Sequence, residues 1–113
     1  MSTLYSVANL KEIAGDDEDF MAVVAQTFLD EIPPDLEAMV SAVDNDNKEL
    51  TYQFAHKMKP NIEMFGIDLL KDVTAVESWT KTSKSKSSIE PTVTRIENTL
   101  KAVFEELRTD FDL

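Results

Sequence analysis

One residue in this sequence is suited to nucleophilic chemistry near neutral pH: the single histidine, His56, in the stretch LTYQFAHKMKPNIEMFGI, residues 50–67. Leu50, Phe54, Met58, Ile62 and Phe65 recur there at spacings of four, four, four and three, which predicts one buried stripe on a helix. At about 100° per residue, His56 lies roughly 160° around the axis from Phe54 and Met58. It shares its face with Glu49, Tyr52, Gln53, Lys59 and Glu63, so the ring is expected in water, flanked by Lys57 and Lys59. Imidazole titrates near neutrality and is a good nitrogen nucleophile. Two adjacent ammonium groups would neutralise a charged phosphoryl group brought by a partner.

A nucleophile of this kind needs a rigid element beneath it. At 113 residues the chain has room for a single core. A hydrophobic content of 42% with only two glycines points to an ordered, mostly helical domain. No apolar run reaches the ~18 residues of a membrane span, and MSTLYSVANLKEIAG has no basic segment leading into an apolar one, so no secretory signal is expected. The lack of cysteine excludes disulfides and thiolate metal sites and is compatible with a reducing, cytoplasmic setting. With 22 acidic residues against 11 basic and a net charge of −11, the surface should repel nucleic acid and anionic membranes.

Taken in order, Leu4, Val7, Leu10 and Ile13 predict a short helix over residues 4–14, stopped at Gly15. Asp16, Asp17, Glu18 and Asp19 then suit the positive end of a second helix. Its core face should carry Phe20, Val24, Phe28, Ile32, Leu36, Met39, Val40 and Val43. Pro33 and Pro34 interrupt it, and the unbroken periodicity favours one long bent helix over two. Asp44-Asn45-Asp46-Asn47 is turn chemistry. A calcium loop beginning at Asp44 would need glycine at position 49 and glutamate at position 55, where Glu49 and Ala55 stand.

The histidine helix should run from about 47 to 65 and stop at Gly66. Asp68 can cap the next, whose apolar residues are Leu69, Leu70, Val73, Val76 and Trp79. TKTSKSKSS, residues 80–88, has nothing to bury and reads as a mobile loop. Its three lysines could attract an anion, although a solvated connection is the simpler expectation. Ser87, Glu90 and Pro91 predict a helix start, and Ile89, Val93, Ile96, Leu100, Val103 and Leu107 form the cleanest stripe in the chain. TDFDL should fray. Four long amphipathic helices and a short N-terminal one close most simply as an all-α, antiparallel up-down-up-down four-helix bundle.

The run His56-Lys57-Met58-Lys59-Pro60 resembles the phosphorylation motif of histidine-containing phosphotransfer (HPt) domains, commonly H-x-x-K-G. The resemblance spans roughly residues 5–108, with its specificity in Ala55–Gly66, and Pro60 departs from the family's usual glycine. It implies a four-helix bundle with the reactive histidine exposed on the second long helix. It also implies that His56 takes a phosphoryl group from the aspartyl phosphate of a receiver domain and hands it to another. Partners would be response-regulator receivers or a hybrid sensor histidine kinase. Mg²⁺ would belong to the receiver, so no metal or cofactor site is expected here.

Lys59 is the first candidate to stabilise phosphoryl charge and Lys57 the second. Gln53, Glu49 or Glu63 could hold the ring, and sequence does not choose among them. Tyr52 and Pro60 complete the face; the compact proline leaves the approach to His56 open. Enzymatic hydrolysis is unattractive with one histidine and no cysteine. A di-metal bundle needs glutamate where Gln53 stands, and an acyl carrier needs a serine that Asp68-Leu69-Leu70 lacks. The rival is an acidic helical adaptor that binds a partner through the same face without phosphorylation. MSTLYSV and TDFDL look like natural ends, which favours a free-standing protein; a monomer is also expected.

Overall fold

In the computed structural model, which describes residues 4–113, the stripes become five α-helices and one 3₁₀ turn, with no strand among the described residues. The opening Met1, Ser2 and Thr3 of MSTLYSV lie outside the described residues. The elements are α1 (Ala8–Ala14), α2 (Glu18–Asp44), α3 (Lys48–Met64), α4 (Leu70–Trp79), a 3₁₀ turn (Lys86–Ser88) and α5 (Glu90–Asp110). Helix α2 packs on α3, α3 on α4, α4 on α5 and α5 back on α2, which closes a ring of four helices; α1 lies against α2. The body measures 47 × 22 × 21 Å. No helix among the described residues is long and apolar enough to cross a membrane.

Capping fixes where α2 and α3 begin. Asp17 accepts a hydrogen bond from the Phe20 amide at 3.0 Å, and Asn47 accepts one from Leu50 at 3.1 Å. Between them Asp46 adopts φ +53°, which aspartate tolerates better than most residues. Helix α2 runs unbroken through Pro33 and Pro34. Ile32, Leu36 and Met39 are buried around the prolines, and this packing outweighs the hydrogen bonds the prolines delete. Phe28 of α2 sits 4.6 Å, centroid to centroid, from Phe65 beyond α3, and 6.0 Å from Phe104 of α5.

Several expectations need correction. The first helix starts at Ala8 rather than residue 4, and Ile13 is 72% exposed while Leu10 is buried. A spacing of three falls about 60° short of a full turn at each step, so the four apolar residues spiral away from a single face. Phe20, Leu50 and Leu70 are also exposed; Met21, Thr51 and Leu69 take the core-facing places beside them. Asp68 does not cap α4, whose N-cap is Leu69, and Ser87 lies in the 3₁₀ turn while Ile89 precedes α5. At the C-terminus, Thr109 and Asp110 continue α5, and Phe111 packs against the core.

The lysine–serine segment is exposed throughout residues 81–88 and makes several contacts with its neighbours. The Trp79 indole N–H donates to the Ser85 carbonyl at 3.0 Å. The Lys48 ammonium lies 4.8 Å above the Trp79 ring and donates to the carbonyls of Thr82 and Lys84. Lys86 reaches the Asp44 carbonyl at 3.1 Å.

Gly66 has φ +59°, and a β-carbon there would stand 3.0 Å from that of Ser6, whose amide donates to the Phe65 carbonyl at 2.7 Å. Gly66→Ala is therefore expected to lower unfolding free energy by about 1–2 kcal/mol, read from the shift of the urea midpoint.

Candidate functional site

Helix α3 presents His56 between two neighbours. Lys57 turns toward α2, where its ammonium meets Asp35 at 3.0 Å. Lys59 turns toward α4 and meets Glu77 Oε1 at 2.8 Å. The ring of His56 remains 64% exposed, with Nδ1 2.9 Å from Glu77 Oε2. A carboxylate only accepts, so Nδ1 carries the proton and donates it; in the neutral ring this leaves the lone pair on Nε2. Nε2 has no hydrogen-bond partner among the described residues.

The ring's partner is thus none of the three groups the sequence offered. Gln53 and Glu49 line an adjoining groove with Tyr52 and Lys81, and Glu63 stands outside the cleft around His56. Tyr52, one turn back, stacks on the imidazole with centroids 5.5 Å apart and planes inclined by 8°. Stack and carboxylate together fix the ring's plane and its tilt. Pro60, one turn ahead, is exposed and lies within α3 without ending it.

Glu77 is the residue that sequence reasoning missed. Its side chain is only 10% exposed, because it occupies the core-facing stripe of α4 one turn after Val73 and beside Val76. A charged residue on an apolar stripe was the available signal, and Asp35, between Ile32 and Leu36, carries the same one. Burial pushes the Glu77 carboxyl upward, but the hydrogen bonds from Lys59 and His56 outweigh it and hold the group below the usual carboxylate range. The carboxylate is therefore ionised at neutral pH and serves two donors at once.

His56, Tyr52, Lys59 and Glu77, with Thr74, Ser78 and Lys81, line an open cleft of about 240 Å³. A larger one, about 520 Å³, lies between the start of α1 and the end of α5, around Tyr5, Lys11 and Asp110. It offers no activated nucleophile: burial, then the 2.6 Å hydrogen bond to Asp110, push the Tyr5 phenol well above its ordinary range. Among the described residues no three histidine or carboxylate groups are arranged to hold a metal ion.

No protein-family model matches this chain, and neither does any curated protein or solved structure. The site therefore stands on its own geometry. That geometry is an exposed imidazole with its proton pinned on one nitrogen and the other nitrogen open.

Proposed function

We propose that the chain is a phosphorelay intermediate in which His56 accepts a phosphoryl group from a receiver aspartyl phosphate and returns it to another receiver. It acts stoichiometrically, as a carrier rather than a turnover enzyme. The observation that carries this reading is the 2.9 Å hydrogen bond between His56 Nδ1 and the buried Glu77 carboxylate, beneath an exposed ring. In the forward step the Nε2 lone pair attacks phosphorus and the acyl-phosphate P–O bond breaks. Its electron pair returns to the receiver's aspartate. Nδ1 keeps its proton, so the ring becomes cationic, and Glu77 stabilises that charge from a place where water is scarce. The reverse step regenerates the neutral ring. Such a transfer asks for alignment and charge more than for covalent help from the carrier.

The same reading takes the ring of four helices as an antiparallel up-down-up-down bundle with α1 as the extra helix. The carrier works in the cytoplasm as a monomer; its partners are receiver domains, free or within a hybrid kinase, and these supply the Mg²⁺. Mixing the protein with phosphorylated receivers tests the proposal. Phosphate that is acid-labile, alkali-stable and mapped to His56 is the expected outcome. A partner that binds this face tightly without ever transferring phosphate would make the chain an acidic adaptor instead.

Position 60 offers a sharper check, because Pro60 stands one turn beyond His56 and is exposed. Pro60→Gly is expected to keep transfer within about threefold of wild type, whereas Pro60→Arg, whose long side chain covers the approach, should slow it about tenfold or more with the fold intact. Equal single-turnover rates for wild type and Pro60→Arg would refute the idea that this position guards access.

A further inference from the structure

The charges around His56 do not balance once a phosphoryl group arrives. Before transfer, Glu77 and Lys59 neutralise each other across 2.8 Å, and the attacking imidazole carries no charge, because its Nε2 lone pair must be free to attack. After transfer the ring has gained one positive charge and the phosphoryl group has brought two negative ones. One negative charge is left without a counterpart. Lys57 is poorly placed to supply it, since its ammonium is engaged with Asp35 toward α2. Lys59 is already committed to Glu77.

One other cation lines the cleft. Lys81 stands in the turn just after α4, one helical turn past Glu77, and its ammonium lies 5.5 Å from the centroid of the Tyr52 ring. Tyr52 in turn stacks on His56, and all three side chains line the same cleft. Lys81 makes no ion pair or hydrogen bond through its side chain among the described residues. Glu49 lines the adjoining groove with it, but the two form no ion pair. On a surface of net charge −11, this ammonium, held against an aromatic face beside an exposed nucleophile, is placed to meet an arriving anion. The hydroxyls of Thr74 and Ser78 line the same cleft on the α4 side and can donate to oxyanions.

We infer that Lys81 is the phosphoryl-binding cation of this site: it leaves the Tyr52 ring to meet the phosphoryl oxygens on His56 Nε2, while Lys59 positions Glu77. The inference rests on the phosphorelay reading for its biological meaning, but its test does not require a receiver. Phosphoramidate serves as a small phosphoryl donor. Nε2 attacks its phosphorus, the P–N bond breaks, and ammonia leaves with the bond's electron pair. The rate of phosphohistidine formation at His56 is measured for the full chain and for Lys81→Met, Lys81→Arg and Lys84→Met, with circular dichroism melts to confirm folding.

Lys81→Met is expected to react roughly fivefold more slowly, with the deficit shrinking at high salt. Lys81→Arg should keep most of the rate, and Lys84→Met, in the same exposed segment, should match wild type. A Lys81→Met rate equal to wild type overturns the inference, and so does a wild-type protein that phosphoramidate does not label at His56. Labelling that depends on Lys81 in a protein no receiver can phosphorylate would leave this assignment standing and remove the phosphorelay reading.

Discussion

His56→Gln is expected to abolish phosphoryl acceptance while moving unfolding free energy by less than about 1 kcal/mol. The glutamine amide has no nucleophilic lone pair to replace Nε2, so no residual transfer is expected at this position. Stability should change little because the ring is 64% exposed and the core beneath it is built from Thr51, Ala55, Met58 and Ile62. Glu77 also keeps Lys59 as a partner after the substitution. Single-turnover labelling and urea denaturation on the same preparation check both halves. Full labelling of the variant would place the nucleophile elsewhere, and a loss of several kcal/mol would mean the ring is structural.

Glu77→Ala carries the second-largest expected effect, a fall in transfer rate of about one to two orders of magnitude with His56 still present. Removing the carboxylate frees the imidazole to rotate and to bind its proton on either nitrogen, and it withdraws the charge that stabilises the cationic ring. It also releases Lys59. The stability cost should be about 1–2 kcal/mol, from two charge-assisted hydrogen bonds offset by the solvation regained by a lysine that is already 31% exposed.

The pH dependence follows from the direction of the shift. The Glu77 carboxyl is held below the usual range when folded, so the unfolded state binds its proton more readily. Its contribution is fully present above the ordinary carboxylate pKa and is lost as pH falls through the lowered value in the folded protein. Glu77→Ala should therefore flatten the acid limb of the stability curve and leave the neutral region parallel to wild type. An unchanged acid limb would mean that the carboxylate does not hold these hydrogen bonds in solution.

Much of this was legible in the chain, for reasons that differ from helix to helix. In α5 and the residue just before it, the six apolar residues from Ile89 to Leu107 alternate four and three, and all six are buried. Large aliphatic side chains at the helical period leave few other ways to hide that surface. In α3 the period was right but its centre was displaced. Thr51 and Ala55 are fully buried while Leu50 is 41% exposed, because the hydroxyl of Thr51 satisfies itself on the Asn47 carbonyl at 2.8 Å. Hydropathy alone ranks leucine above threonine and so rotates the helix toward the wrong residue. In α1 a spacing of three was read as a stripe although it winds around the axis.

The site divided in the same manner. The exposure of His56 follows from its position on one helix and could be derived from angular spacing alone. Its hydrogen-bond partner depends on how α4 lies against α3, a tertiary fact with no trace in local spacing beyond a glutamate set among valines and a tryptophan. Spacing ranks Lys59 ahead of Lys57 but names no partner for either. The fold separates them by giving each a different acidic residue on a different helix.

The most direct test of the account is the position of the phosphate on the His56 ring, read by nitrogen–phosphorus NMR after transfer from a phosphorylated receiver. With Nδ1 donating to Glu77, the phosphoryl group must be found on Nε2, and the Nδ1 proton must still be present. Phosphate on Nδ1, or a His56 that stays unmodified while the receiver loses its phosphate to water, would contradict it.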